Sequence, residues 1–179
     1  MPLTTFASER LIFRKLTLED APEIYFLRSD NAVNKFIKRN KPKRIEDARQ
    51  FILDRNRDIE EGKLYYWAIS IKNTTKLIGS ICLWNLSEDG TTAEIGYDLH
   101  PTFQKMGYMS EAMKAVMDYG FSVLKLTTIE AFTHRNNRAS TKLLESHHFI
   151  LDLNRVDDGF PDNIIFTCGI KDVLSDQKS

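Results

Sequence analysis

Residues 92–121 read TAEIGYDLHPTFQKMGYMSEAMKAVMDYGF, and this stretch decides the fold. Its first part has an apolar residue at every second position, which predicts a β-strand. Pro101 ends that strand because it has no N–H to donate to a sheet. From Tyr108 onward the apolar residues follow the spacing of one helix face, and Gly120 lies near the end of the helix. The stretch therefore predicts a strand, a short loop and a helix in succession.

The loop between this strand and this helix predicts a binding site for a negatively charged group. The first N–H groups of a helix have no helical partner, and the helix dipole favours negative charge there. Gly107 has no Cβ, so a phosphate can approach the backbone closely at that point. The residues expected to surround such a group are Gln104, Lys105, Met106, Gly107, Tyr108 and Met109.

This stretch resembles the acyl-CoA site of the GNAT superfamily of N-acetyltransferases. The superfamily pattern is Gln or Arg, two residues, Gly, one residue, and then Gly or Ala. Gln104 and Gly107 match the pattern, whereas Met109 departs from it. The resemblance implies that the loop holds the diphosphate of acetyl-CoA, the co-substrate of these enzymes.

The chain is also similar to the branch of the superfamily that acetylates the N-termini of ribosomal proteins. The opening of the chain, from Glu9 to Ala21, resembles the opening of that branch, so the resemblance spans most of the chain. Lys105 stands where the branch has Gly, and Met109 where it has Ala, so we expect two extra side chains beside the diphosphate. The matching residues of the central stretch are Glu94-Ile95-Gly96-Tyr97, Pro101, Gly107-Tyr108 and Glu111-Ala112.

Length and composition favour one domain spanning residues 1–179. The net charge is zero, so direct binding to nucleic acid is not expected. No apolar run reaches the ~18 residues of a membrane helix, and the N-terminus shows no signal-peptide pattern. Cys82 and Cys168 each lie in an apolar strand pattern, which favours two thiols in a cytoplasmic protein. His147-His148 lacks companion ligands at the spacing of a metal site, so no metal is expected. The sequence leaves both a monomer and a homodimer open.

Periodicity predicts seven strands and four helices along the chain. Together they indicate an α+β (α/β-like) domain, and the resemblance implies the GNAT fold, a central mixed, mostly antiparallel sheet of six to seven strands flanked by about four helices. Thr17 and Asp20 predict a capped helix start. The predicted strands cover 10–16, 64–71, 76–84, 92–99, 128–133, 149–156 and 164–170, and three further helices cover 45–60, 108–120 and 138–146.

The resemblance also implies roles for residues of the central strand. In these enzymes the strand diverges from its neighbour, and the pantetheine arm of acetyl-CoA pairs with the freed backbone. We therefore expect the arm to be lined by Tyr97, Asp98 and Leu99. Gly96 is consistent with a bulge where the strand diverges, and the alternative is a glycine in a regular strand. Glu94 takes the position of an acidic residue that orders a water accepting the amine proton. The alternative is a solvated or ion-paired strand glutamate.

A second motif follows the next predicted strand. Residues 133–140 read THRNNRAS and resemble the family's Asn-x-Ala-Ser helix start. The resemblance implies that the Asn137 amide contacts the pantetheine arm or a nearby water, and a helix N-cap is the alternative role. Many members have a Tyr four residues after the Ser position, and this Tyr is the acid that protonates the leaving thiolate. That residue is Leu144 here, so Ser140 is the nearest candidate acid for the leaving thiolate.

Amine basicity favours a protein or peptide N-terminal α-amine as the acceptor. An α-amine titrates near ~8, whereas a lysine or polyamine amine near ~10 must be neutralised at a cost of about 4 kcal/mol. Two alternatives stay open: an acetyltransferase for a polyamine, amino acid or antibiotic, and a catalytically silent acyl-CoA-binding domain. The basic segment 35–44 is either a solvated loop or a lip over the acceptor site. The alternative is that the acidic residues Asp58, Glu60 and Glu61, rather than the basic segment, line the acceptor site.

Overall fold

The computed structural model describes residues 3–172, and within them eight strands form one sheet flanked by four α-helices. Two short 3₁₀ turns, Leu18–Asp20 and Pro101–Phe103, precede α1 and α3. The helices are α1 Ala21–Ser29, α2 Ile45–Glu60, α3 Tyr108–Ser122 and α4 Arg138–Ser146. The strands are β1 Phe6–Ala7, β2 Leu11–Arg14, β3 Tyr65–Ile71, β4 Leu77–Trp84, β5 Thr92–Leu99, β6 Thr128–His134, β7 Ile150–Asp152 and β8 Asn163–Gly169.

The sheet has the strand order β1-β2-β3-β4-β5-β6-β8-β7. Every neighbouring pair is antiparallel except β5 and β6, so the predicted α+β class and the mixed, mostly antiparallel sheet are confirmed. The strand beyond the predicted number is β1, which has only two residues and therefore shows no periodicity. The predicted strand over 149–156 is shorter in the structure, because only Ile150–Asp152 pairs with β8.

The two faces of the sheet bury separate apolar clusters. On one face, α3 contributes Met113 and Val116, which pack with the fully buried Trp67. On the other face, α1 and α2 contribute Leu27 and Ile52. Each buried side chain of this size stabilises the fold by about 1.5–3 kcal/mol relative to exposure. The α1–α2 pair is thus fixed over the face of the sheet to which β3 contributes Tyr66 and Ala68.

The parallel pairing of β5 and β6 is short. It covers three residue pairs, Thr92 with Thr128, Ala93 with Ile129 and Glu94 with Glu130. Beyond Glu94 the strands separate, because β5 stays paired with β4 as far as Leu99 while β6 stays paired with β8 as far as His134. The sheet therefore opens between its two central strands.

Gly96 does not interrupt the pairing of β5 with β4, in which it lies opposite Cys82 in regular register. A Cβ at this position would lie 3.2 Å from the Cys82 Sγ and 3.6 Å from the Trp84 Nε1. The absence of a side chain at Gly96 thus makes room for two β4 side chains. The strand divergence predicted for this region is present, but it begins two residues earlier, after Glu94.

None of the helices formed by residues 3–172 combines the length and the apolar character needed to span a membrane.

Candidate active site

A cavity of about 770 Å³ occupies the opening between β5 and β6. Residues 94–98 of β5 and 131–134 of β6 form two of its walls. The α1–α2 region and the β7–β8 connection close it on the other sides. The predicted site residues that lie on its walls are Glu94, Tyr97, Asp98, Asn137 and Ser140.

Glu94 lies at the last position where β5 pairs with β6. Burial raises the pKa of its carboxyl to about 7; a hydrogen bond from Asn85 opposes the rise, and the charges of Asp157 and Glu130 add to it. A carboxyl group with this pKa is divided between its two protonation states at neutral pH. It can therefore accept a proton from a bound molecule and release it to solvent.

Tyr97 and Ser140 meet inside the cavity, with 2.8 Å between the Tyr97 hydroxyl and the Ser140 Oγ. Burial raises the pKa of Tyr97 to about 12, although the hydrogen bond with Ser140 opposes the rise. The Tyr97 hydroxyl therefore keeps its proton at neutral pH. The sequence predicted both residues in the site but did not predict that they form a pair, because they lie on β5 and α4.

Asn137 is the N-cap of α4, and its Oδ1 accepts a hydrogen bond from the Ser140 N–H at 3.3 Å. The capping role that stood as an alternative is therefore present. The Asn137 Nδ2 donates no hydrogen bond to any residue between 3 and 172, and the side chain lines the cavity. The same residue thus fixes the helix start that carries Ser140 and retains a free donor for a ligand.

The Asp98 carboxylate is held within the protein. Its Oδ1 accepts a hydrogen bond from Ser80 at 2.6 Å, and its Oδ2 forms a salt bridge with Arg39 at 2.9 Å. Ser80 in turn accepts a hydrogen bond from the Tyr66 hydroxyl at 2.7 Å. This chain of polar groups builds one wall of the cavity, so only the Asp98 backbone remains for the contact with the pantetheine arm that the sequence predicted. Leu99, in contrast, is buried in the apolar core.

The predicted diphosphate loop lies outside this cavity, at the start of α3. Gly107 is the N-cap and has a φ of 79°, and Lys105 has a φ of 62°. Both backbones are left-handed, a conformation that glycine adopts freely and that costs other residues about 1 kcal/mol. Within residues 3–172, the backbone N–H groups of Lys105, Met106 and Gly107 donate no hydrogen bonds. Three free N–H groups beside a helix N-terminus fit a phosphate ligand.

Two side chains of this region contact the rest of the protein. The Gln104 Nε2 donates to the Leu99 carbonyl at 3.1 Å, and Met109 packs against the apolar cluster below α3. The Met109 side chain expected beside the diphosphate is thus directed into the core. Lys105 and Met106 are exposed.

An ion pair that the sequence did not indicate fixes the loop. The Arg10 Nε donates to the Glu111 Oε2 at 2.6 Å, and the Arg10 Nη1 donates to the Met106 carbonyl at 3.0 Å. The other Glu111 oxygen accepts from the Ser8 hydroxyl at 2.6 Å. Arg10 belonged to a motif that resembled the family, but no local pattern indicated that it reaches a helix 101 residues away.

The acetyltransferase (GNAT) domain family matches residues 10–150, so this chain belongs to the GNAT family of N-acetyltransferases. An uncharacterised N-acetyltransferase of Bacillus licheniformis, p20, is 35% identical over 147 residues, covering 82% of this chain and 83% of that protein. The chain is accordingly an N-acetyltransferase that uses acetyl-CoA.

Solved structures share the fold. Ribosomal-protein-S5-alanine acetyltransferase from Vibrio fischeri superimposes with a TM-score of 0.77 at 22% identity, covering 93% of this chain and 96% of that one. RimL, a ribosomal L7/L12 alpha-N-protein acetyltransferase, superimposes with a TM-score of 0.79 at 18% identity, covering 94% and 95%. At these identities the similarity establishes the fold.

Proposed function

We propose that this enzyme transfers the acetyl group of acetyl-CoA to the α-amine of a protein or peptide N-terminus. The observation that carries the proposal is the carboxyl of Glu94, which lines the cavity and whose pKa burial raises to about 7. The fold-sharing RimL, which by name acts on ribosomal L7/L12, gives the proposal independent support.

The proton balance favours an α-amine over a more basic one. A protonated α-amine has a pKa near ~8, so its transfer of a proton to a carboxylate of pKa about 7 costs about 1 kcal/mol. The same transfer from a lysine or polyamine ammonium near ~10.4 costs about 5 kcal/mol. Glu94 is thus an adequate base for an N-terminus and a weak one for a side-chain amine.

The mechanism that we propose is direct attack of the neutral amine on the thioester carbonyl carbon. The C–N bond forms and the C–S bond breaks, while Glu94 takes the amine proton, through a water, and passes it to solvent. One hydroxyl of the Tyr97–Ser140 pair donates its proton to the other, and the second donates a hydrogen bond toward the sulfur. Negative charge on the leaving thiolate is thereby stabilised until it is protonated from solvent. A thiol of pKa near ~8.5 is a tolerable leaving group, so a stronger acid is not required.

The two halves of acetyl-CoA would be held by different groups. The free N–H groups of Lys105, Met106 and Gly107 suit the diphosphate. The Asn137 amide and the β5 backbone of Tyr97 and Asp98 suit the pantetheine arm, since β5 has no partner strand on its β6 side beyond Glu94.

The acceptor side of the cavity supports a peptide more than a polycation. Lys38 and Arg39 line it, whereas the other basic residues of segment 35–44 do not. The acidic residues Asp58, Glu60 and Glu61, which could have offset this charge, do not line it either. The carboxylates that line the cavity lie on β5 and on the β7–β8 connection, whereas Arg28 and Lys38 on the α1–α2 side would repel a spermidine-like acceptor at close range. The two cysteines are free thiols, which supports a cytoplasmic setting.

The test is acetylation of a short peptide that has a small first residue, a free α-amine and one internal lysine. Mass spectrometry locates the acetyl group, and release of free thiol from acetyl-CoA gives kcat/KM. We expect acetylation at the α-amine, no reaction of the Nα-blocked peptide, and a much lower kcat/KM for spermidine. Higher kcat/KM for spermidine than for every peptide would transfer the assignment to a small-molecule amine. No thiol release with any acceptor would indicate a silent acyl-CoA-binding domain.

A further inference from the structure

The acceptor side of the cavity carries three arginines. Arg28 lies on α1, Arg55 on α2 and Arg39 between the two helices, and all three line the cavity that contains Glu94. Arg39 is paired with Asp98 at 2.9 Å, and the Arg55 Nη2 is paired with Asp58 at 2.8 Å. Arg28 forms neither a hydrogen bond nor a salt bridge with any residue from 3 to 172.

Arg28 and Arg55 share one aromatic ring. The central guanidinium carbon of Arg28 lies 4.0 Å from the centroid of the Phe51 ring, and that of Arg55 lies 5.4 Å from the same centroid. A guanidinium packed on a ring keeps its N–H donors in its own plane, where they can still bind a planar or tetrahedral anion. Phe51 therefore brings two guanidiniums to one place, and the donors of Arg28 are not engaged by any residue from 3 to 172.

The two guanidiniums lack sufficient acceptors. The Arg55 Nε is fully buried and has no hydrogen-bond partner. Burial and the charge of Arg39 lower the pKa of Arg28, an effect that the charges of Tyr66 and Asp98 partly oppose. A buried charged donor without an acceptor is unfavourable, and so is the proximity of like charges. A bound anion would supply the acceptor that Arg28 lacks and would offset the like charges around it.

The carboxylates of the same cavity do not meet this need. Asp98 is bound by Ser80 and Arg39, and Glu94 lies on β5 beside Glu130. Asp157 accepts a hydrogen bond from Asn163 at 2.7 Å, and Asp162 is paired with Arg135 at 3.7 Å. These carboxylates therefore leave the guanidinium of Arg28 available to an anion that enters the cavity from solution.

We propose that Arg28 and Arg55 form a subsite for a carboxylate carried by the acceptor. The inference rests on the proposed function in one respect, that the molecule entering this side of the cavity is the acceptor amine. The diphosphate of acetyl-CoA is not the expected occupant, because the loop suited to it begins α3 and lies outside this cavity. An acidic side chain near a peptide N-terminus and the carboxylate of a free amino acid share this chemistry, and the experiment separates them.

The experiment compares two C-terminally amidated peptides that differ only by Asp or Asn at the second and third positions, together with free glutamate and glutamine. The variants are Arg28→Gln and Arg55→Gln, and the matched control is Arg49→Gln on the exposed face of α2. We expect the wild-type enzyme to favour the Asp peptide by about ten- to hundredfold in kcat/KM, because charged groups form the strongest hydrogen bonds. Arg28→Gln should abolish most of that preference, while Arg49→Gln keeps it.

A binding measurement that does not depend on turnover completes the test. Inorganic phosphate is titrated by calorimetry into the protein saturated with CoA, so that the diphosphate loop is already filled. We expect binding to the wild-type and Arg49→Gln proteins and loss of binding in Arg28→Gln. An unchanged KM for acetyl-CoA and an unchanged melting temperature show that the variant is folded.

The outcomes of the two measurements are distinguishable. A preference for glutamate over glutamine with no peptide turnover would keep the anionic subsite and remove the peptide assignment. Equal kcat/KM for the Asp and Asn peptides would remove the subsite and keep the peptide assignment. Phosphate binding that survives Arg28→Gln and Arg55→Gln would also overturn the subsite.

Discussion

The two halves of the proposed site are built in opposite ways. The diphosphate loop is one contiguous segment, residues 104–109, and offers backbone N–H groups at a helix start. The acceptor cavity is assembled from side chains of α1, α2, β4, β5, β6 and α4. The loop therefore depends on backbone conformation, and the cavity depends on charge and burial. Substitutions should break the first by repelling the phosphate from the backbone and the second by changing protonation.

The largest expected effect is in the cavity, at Glu94. Glu94→Gln keeps the shape of the side chain and removes the proposed base, so kcat at pH 7 should fall by about 10²–10⁴-fold. The wild-type rate should fall as pH drops through about 7, because the carboxyl becomes protonated there. The pH–rate profile of the variant should lose the fall near pH 7 and keep the fall near pH ~8 that reflects protonation of the acceptor α-amine. Steady-state rates from pH 6 to 9 check both statements.

Glu88→Gln is the matched control, since Glu88 is an exposed carboxylate in the turn before β5. Its rate should stay within twofold of the wild type at every pH. If Glu94→Gln behaved in the same way, Glu94 would be an ordinary strand carboxylate and the cavity would have lost its base.

The second effect is in the loop. Gly107→Glu adds a negative charge and a Cβ at a φ of 79°, and that Cβ would lie 3.2 Å from the Arg10 Nη2. A carboxylate at a site that must accept phosphate should weaken acetyl-CoA binding by roughly a hundredfold or more. Calorimetric titration with acetyl-CoA measures the affinity, and circular dichroism checks the fold.

Gly90→Glu separates backbone strain from ligand repulsion. Gly90 has a φ of 69°, and a Cβ there would meet no atom within 4 Å. Both variants place a glutamate at a left-handed position, so both should lose about 1 kcal/mol of stability. Only Gly107→Glu should lose acetyl-CoA affinity. Native affinity in a folded Gly107→Glu protein would exclude the loop from the site.

A smaller effect is expected at the hydrogen-bonded pair of Tyr97 and Ser140. Tyr97→Phe keeps the ring, and Ser140→Ala keeps the helix start, so each should reduce kcat by about tenfold through the lost donor. If the two hydroxyls act as one unit, the double variant should be about as slow as the slower single variant. A loss of kcat in the double variant equal to the product of the two single-variant losses would show that the two hydroxyls have independent roles. Single-turnover rates are the suitable measurement.

The contrast between loop and cavity also explains what the sequence could predict. The strand, loop and helix of residues 92–121 were predictable because period-two and helical spacing follow one another within 30 residues. The eight-strand order was not, because β8 inserts between β6 and β7 through pairings that leave no local pattern. The two-residue strand β1 was missed because so short a segment has no period.

The same rule applies to the site. Glu94, Asn137 and Ser140 belong to motifs that can be read within a few residues, and the structure brings all three to one cavity. Arg39 and Asp98 are 59 residues apart and form a partly buried ion pair that no spacing predicts. The meeting of Arg28 and Arg55 at Phe51 depends on the packing of α1 against α2, which is likewise a tertiary property.

The smallest expected effect links the chemistry of Glu94 to stability. Its folded-state pKa of about 7 lies above the ordinary value of 4.5, so the folded protein binds more protons than the unfolded chain between these values. Stability should therefore be highest below pH 4.5 as far as this group is concerned, and should decline as pH rises through 7. Glutamine mimics the neutral carboxyl, so Glu94→Gln should match the wild type near pH 4. At pH 8 it should exceed the wild type by about 1–2 kcal/mol, after allowance for solvent screening of a partly exposed group. Urea unfolding at the two pH values measures the difference. A variant less stable than the wild type at pH 8 would show that the Glu94 carboxylate is stabilised in the folded protein, which contradicts its assignment as a desolvated base.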